Sequence, residues 1–432
     1  MRQTVFAGLT TLTLILMTVA GTAETYTLEK SIETALERNY SIIASQDTYD
    51  ASKWDMYSAW GNILPSLSLS IDRSESWSSR AFDTTAANPH KSYGYSGGLS
   101  LSRSFSGLGI GTYASIKQKK AQYKSYYFGL VDSRNELVLS VKEAYFNVVK
   151  AKMLVDVQKD AVRRGEEQLK VAESRYELGS ASLSDVLKAK VLYGNAKLDL
   201  ITADNLFKVS KAQLQYTIGI DVADEIEVVE EFQQVESNIT YNEALNEAVS
   251  RNPSLLKSKS DLSKARASHW MARTAFMPSL GFSVRHSTGI DRDNASEFFS
   301  FSDNSNGWSL GLSLSFNVFN GLSDYANLVS AGKGVHTSRE NLRDTENAIA
   351  LEVKQAYLDV QQNTEKLSLN EESVAAAQED LNIVREKYKL GAATIIEVLD
   401  AEVSFKQAQV NQVEAEFDYN LAISRLEKVM GR

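Results

Sequence analysis

A line of mostly apolar residues recurs at alternating intervals of four and three: Leu137, Val141, Ala144, Val148, Ala151, Val155, Gln158, Val162, Gly165, Leu169, Ala172 and Tyr176. This 3.5-residue period is that of a coiled coil and predicts one very long helix, from about Thr112 to Leu178. At 1.5 Å per residue such a helix extends roughly 100 Å, about three times a bilayer core, so most of it stands in aqueous space. The same pattern returns at Ile349, Val353, Ala356, Val360, Asn363, Leu367, Asn370, Val374, Ala377, Leu381, Val384 and Tyr388. After the first long helix, Ala189, Tyr193, Ala196, Leu200, Ala203, Phe207, Ser210 and Leu214 mark a returning helix in which small and large residues alternate, allowing neighbours to approach closely. A second apolar line on it, Leu187, Val191, Leu198 and Ile201, implies contacts on two sides. Two seams suit a ring of helices, whereas one would suffice for a pair.

Four segments switch to period two, near 64–73, 95–106, 279–288 and 307–319. Leu67, Leu69 and Ile71 alternate with Ser66, Ser68, Ser70 and Asp72, and Leu310, Leu312 and Leu314 repeat the theme in the last segment. Pro65 and Pro278 stand where helix gives way to strand, a position that needs no ladder N–H. Alternation alone fits either a half-buried sheet in a soluble sandwich or a lipid-facing barrel wall with a polar lumen. Segments of about 10 residues, with Trp308 and Phe319 near strand ends, favour the wall. So does the N-terminus: Arg2, the apolar run Leu9 to Ala20 and the exit Gly21-Thr22-Ala23 read as a secretory signal peptide over 1–23. Beyond it nothing approaches the ~20 apolar residues of a membrane-spanning helix, so a membrane crossing must use strands. Four strands cannot close into a barrel whose bacterial minimum is about 8, so the chain must oligomerise. Two copies give eight strands and three give twelve, and spacing does not choose between them.

The chain is one unit written twice. Arg175-Tyr176-Glu177-Leu178-Gly179 and Asp185-Val186-Leu187 recur 212 residues on as Lys387-Tyr388-Lys389-Leu390-Gly391 and Glu397-Val398-Leu399. Val141-Lys142-Glu143-Ala144-Tyr145 returns as Val353-Lys354-Gln355-Ala356-Tyr357, and Pro65-Ser66-Leu67 as Pro278-Ser279-Leu280. The expected halves are 24–232 and 233–432, each running helix, strand, strand, very long helix, helix, with the acidic stretch Asp221 to Glu236 as the join.

Composition narrows the chemistry. Removing the leader, whose only charge is Arg2, takes the net charge from −9 to −10, which argues against nucleic acid as a partner. With no Cys, disulfides, thiolate metal sites and lipidation through sulfur are excluded. Four prolines and five tryptophans suit long helices better than a compact enzyme. His90, His269, His286 and His336 show no metal-ligand spacing, and no cofactor or catalytic constellation is expected. Gly107-x-Gly-x-Gly111 reads as a strand-to-helix swivel instead of a dinucleotide loop, and Asn238-x-Thr and Asn294-x-Ser are chance matches to glycosylation acceptors. At Gly179-Ser180-Ala181-Ser182 and Gly391-Ala392-Ala393-Thr394, glycine ends one helix, and Ser182 with Asp185, or Thr394 with Glu397, is a capping box that starts the next.

This tandem order resembles the outer membrane efflux protein family, the TolC-like channels, over essentially the whole mature chain. The most specific marks are the segment 64–70, Leu-Pro-Ser-Leu-Ser-Leu-Ser, and the paired segments at 175–187 and 387–400. The resemblance implies an α+β membrane protein in the bacterial outer membrane: a homotrimer with a 12-stranded β-barrel, four strands per protomer, continued by a 12-helix periplasmic α-barrel. It implies a passive exit duct in outer-membrane lipid, docked through its helical tips to a periplasmic adaptor (membrane fusion) protein of an inner-membrane pump or secretion ATPase. By the same resemblance Leu178, Gly179, Ser182, Leu390, Gly391 and Thr394 are tip residues that contact the adaptor. Glu397 and Asp400, three apart on one helical face, match acidic positions that ring the periplasmic aperture in the family's type member, six carboxylates per trimer. Asp185 and Lys188 are their first-half equivalents, and Ala393 replaces a basic latch residue, so that closed-state bond is not expected here. The rival reading is a periplasmic coiled-coil scaffold without a membrane barrel.

Overall fold

The computed structural model describes residues 24–78, 90–229, 239–292 and 305–432; the expected leader over 1–23 and the acceptor matches at Asn238 and Asn294 lie outside them. The order is β1 (Glu24–Tyr26), α1 (Leu28–Arg38), α2 (Tyr40–Gly61), β2 (Ser66–Ser78), β3 (His90–Phe105), α3 (Ile110–Glu177), α4 (Leu183–Ile218), β4 (Ile226–Val228), α5 (Tyr241–Arg251), α6 (Pro253–Arg273), β5 (Ser279–Arg292), β6 (Ser305–Ser315), α7 (Ser323–Lys389) and α8 (Ile395–Met430). The long helices α3 and α7 hold 68 and 67 residues, and α4 and α8 hold 36 each. Where the pattern predicts one helix before each strand pair, two are found. Asn39 and Asn252 are the reason: each leaves helical geometry and its side chain accepts the N–H of Ser41 or Leu255, starting a new helix, with Pro253 at the first helical position of α6.

Residue contacts group the chain into two compact units that cut across the sequence repeat. One comprises 39–139, 235–365 and 422–432 and contains a four-stranded antiparallel sheet in the order β2-β3-β5-β6. In its register Leu69 pairs with Leu99, Leu101 with Val284 and Val284 with Leu310, so apolar side chains share one face. Serines share the other, where Ser68 and Ser100 hydroxyls meet at 2.6 Å and those of Ser279 and Ser315 at 2.8 Å. The apolar face has no cover among the described residues: Leu69 is 71% and Leu312 75% exposed. β2 and β3 outrun the expected ten residues, at 13 and 16. The last strand stops at Ser315 instead of reaching Phe319. Ser315 pairs with Ser279, the first residue after Pro278, which has no N–H to extend the ladder.

The swivel into α3 is built from Gly107, Leu108 and Gly109 with φ of 56°, 56° and 97°. A Cβ at Gly107 would sit 2.7 Å from Thr274 Cβ, so the close approach and the positive φ both require glycine. Leu108 N–H donates to the Pro278 carbonyl at 3.0 Å, tying the swivel to the start of β5. The end of α8 is fixed in the same unit by Lys428 paired with Glu136 at 3.0 Å, by Asn252 Nδ2 donating to the Val429 carbonyl and by Arg432 on Glu247 at 2.7 Å.

The other unit takes its described residues from 24–38, 140–229 and 366–421. β1 and β4 form a two-stranded parallel sheet, each three residues long and too short to show a period in sequence. The buried Tyr145 donates its hydroxyl to the Val229 carbonyl at 2.6 Å, anchoring that strand on α3. Along α4 the first seam is sheltered: Ala189, Ala196, Ala203 and Leu214 are buried. Leu187, Val191, Leu198 and Ile201, the second line, are all more than half exposed.

Candidate functional site at the paired helical turns

The α3–α4 and α7–α8 turns lie in this second unit and are built alike. Gly179 and Gly391 adopt φ of 72° and 79°, where a side chain would strain the backbone, and so let the chain leave each long helix. Ser180 N–H reaches back to the Arg175 carbonyl, and Ala392 N–H to that of Lys387, both at 2.8 Å. At the start of α4, Ser182 N–H donates to Asp185 Oδ2 at 3.0 Å and Asp185 N–H to Ser182 Oγ at 3.2 Å. At α8, Thr394 N–H and Oγ1–H donate to Glu397 Oε1 at 3.3 and 2.9 Å, and Glu397 N–H donates to Thr394 Oγ1 at 3.3 Å. Leu178 and Leu390 stand 82% and 84% exposed at the turns.

The two turns are joined by a residue pair that motif reading quotes but does not assign. Arg175 lays its guanidinium over the Tyr388 ring, 4.5 Å from the centroid, and donates Nη1–H to the Tyr388 carbonyl. Burial pushes the Tyr388 hydroxyl above its ordinary pKa, Arg175 opposes this, and Asp185 adds to it. Tyr388, Ile395 and Val398 form a buried apolar cluster against which Val171 and Ala393 pack. Ala393 contributes its methyl group to that cluster. Tyr176, the equivalent of Tyr388, is 46% exposed, so the repeat is broken in use at this position.

Of the acidic residues, Glu397 and Asp400 are exposed, and Asp185 is partly buried. Glu397 and Asp185 spend one oxygen each on the caps, whereas Asp400 makes no ion pair among the described residues. Lys188 is exposed on α4. No cluster of three or more His, Asp or Glu able to hold a metal occurs among the described residues.

Farther along the helices lies a charged belt that the periodicity does not announce. Glu402 on α8 accepts from Arg164 Nε on α3 at 3.1 Å and from Arg385 on α7, with the side chains of Arg164 and Glu402 only 8% and 7% exposed. Arg164 also stacks 5.0 Å from the Phe405 ring and reaches Gln409 Oε1 at 3.4 Å. Lys406 on α8 pairs with Asp199 on α4 at 2.8 Å, so four helices are tied together. A cavity of about 40 Å³ beside Gly165 and Asn195 has room for water but not for a solute. The sequence signal is slight: Arg164, Arg385 and Glu402 each sit one residue from a seam position, beside Gly165, Val384 and Ala401, the last being the repeat mate of Ala189.

Known proteins match the chain in sequence pattern and in fold. The sequence pattern of the family described as "Outer membrane efflux protein" matches residues 31–219 and 244–432. The chain is 24% identical over 396 residues to "Outer membrane protein TolC" of Escherichia coli, covering 88% of this chain and 77% of that protein. It is 23% identical over 398 residues to "Alkaline protease secretion protein AprF" of Pseudomonas aeruginosa, covering 91% and 82%. In fold it is similar to the crystal structure of the Campylobacter jejuni CmeC outer membrane channel, with a TM-score of 0.82 at 17% identity over 94% of this chain and 85% of that one.

Proposed function

The chain belongs to the outer membrane efflux protein family and resides in the outer membrane with its helical part in the periplasm; from this we propose that it is the exit duct of a tripartite efflux or type I secretion system. Transport is passive, and the periplasmic helical turns open and close the duct. The observation that carries this reading is the four-stranded sheet: contiguous leucines lie uncovered on one face and serines on the other, in a chain where no described helix could cross a membrane. An exposed apolar band of that kind calls for lipid, since it would drive aggregation in water.

With four strands per chain, a closed barrel requires further copies, and in this reading the assembly is a homotrimer of twelve strands and twelve helices. The second apolar line of α4, Leu187 to Ile201, is the seam left for a neighbouring protomer. Leu178, Gly179, Ser182, Leu390, Gly391 and Thr394 meet the hairpins of a periplasmic adaptor protein, and through it an inner-membrane pump. Glu397, Asp400 and Asp185 line the periplasmic aperture, where their charge favours cations and binds multivalent ones.

Two measurements test this. Outer-membrane fractions should yield heat-resistant trimer bands; extraction of the protein as a purely soluble species would instead support a periplasmic scaffold. In planar bilayers, Glu397→Gln with Asp400→Asn should lose block by multivalent cations added on the helical side, and undiminished block would remove these carboxylates from the aperture.

A further inference from the structure

The serine face of the sheet holds one feature that neither strand pairing nor folding requires. In the register of β2, β3, β5 and β6, every described side chain on that face is Ser or Gly except Asp72 and Arg285. Arg285 is exposed, and its direct cross-strand neighbours are Ser100 and Ser309. Its guanidinium lies over the backbone of Gly98: a Cβ there would be 3.4 Å from Nη2 and 3.6 Å from Nε, and 3.0 Å from Ser70 Oγ. Glycine thus leaves a shallow notch that seats the guanidinium between hydroxyl-bearing neighbours. Among the described residues no carboxylate pairs with it. Arg103, on the apolar face, is treated differently, with its guanidinium 5.6 Å from the Phe105 ring centroid.

A guanidinium is always charged and offers a planar fork of N–H donors matched to phosphate and carboxylate oxygens. Seated on a wall of short hydroxyl side chains, it is the tallest group in its surroundings and the one whose donors remain unspent. We propose that Arg285, with the hydroxyls of Ser70, Ser100 and Ser309 around it, is a contact site for multiply charged oxyanions on the lumen wall of the barrel, one per protomer. The inference rests on the serine face being the lumen, as the proposed duct requires. It places a cationic contact on the barrel wall, where Asp72 is the one described carboxylate of the same face, and anionic groups at the helical turns.

Single-channel recording with tripolyphosphate added on the barrel side tests it, using wild type, Arg285→Lys, Arg285→Ala and Arg285→Glu. The four proteins are first compared for heat-resistant oligomers, so that loss of the probe's effect is not loss of folding. Tripolyphosphate should reduce the current through wild type and R285K and leave R285A and R285E unaffected. The wild-type block should weaken from 0.1 M to 1 M salt as the screening length falls from about 10 Å to about 3 Å. Equal block in wild type and R285A, or no block of wild type, overturns the site while leaving the duct standing. No conductance from wild type overturns the duct and this inference with it.

Discussion

Glu402 illustrates how a single side chain can dominate its surroundings. Two guanidiniums converge on one nearly buried carboxylate, so removing its charge strands Arg164 in a site with few other acceptors. Glu402→Ala is expected to cost about 3–5 kcal/mol, the usual penalty for leaving a buried charge unpaired, whereas replacing Arg164 and Glu402 together by methionines should cost much less. Denaturant midpoints of the single and double variants check this; equal losses would mean that packing, not charge, holds the site. Glu416 behaves in the opposite sense. Burial raises its pKa from 4.5, Gln412 donates a hydrogen bond that lowers it, and Glu371 raises it further. A carboxyl with a folded pKa above its unfolded one opposes folding once ionised, so the penalty is absent below 4.5 and grows as pH rises through the folded value. Glu416→Gln should therefore raise the melting temperature at pH 7 and leave it nearly unchanged at pH 4.

At the scale of elements, the helices owe their ends to short local signals and their length to the seams. Ser182 and Thr394 each satisfy N–H groups that the first turn of α4 or α8 cannot satisfy itself. Ser182→Ala and Thr394→Ala are each expected to cost about 1 kcal/mol, seen as faster amide exchange confined to the first turns of α4 and α8. Exchange unchanged there would show that tertiary contacts fix those turns without the caps. The capping boxes, the turn glycines and the proline-marked strand starts were all legible in sequence, because each is a contact between residues within a few positions of one another. The breaks at Asn39 and Asn252 use the same chemistry: Asn252 is marked by Pro253 at the first helical position, whereas Asn39 has only its own side-chain cap to signal it.

For the whole molecule the decisive feature is which face of the sheet meets lipid. Leu69→Arg or Leu312→Arg places a charge on the apolar face and should cost about 2–4 kcal/mol if that face lies near the bilayer midplane. Heat-resistant oligomers should then fall in outer-membrane fractions, while Ser68→Asn on the opposite face should leave them intact. The reverse ranking would turn the sheet inside out.

The sequence by itself determined the long helices, the four strands, the doubled plan and the polarity of each sheet face, since period and repetition are written in residue spacing and need no knowledge of partners. Tertiary structure decided what distant residues do to each other. Tyr388 is covered by Arg175 while its repeat mate Tyr176 is left exposed; Arg164, Arg385 and Glu402 close a belt from three helices; Gly98 makes the seat for Arg285. Side chains one residue off a seam look like ordinary solvated charges along the chain, and only the packing of separate helices and strands brings them within bonding distance.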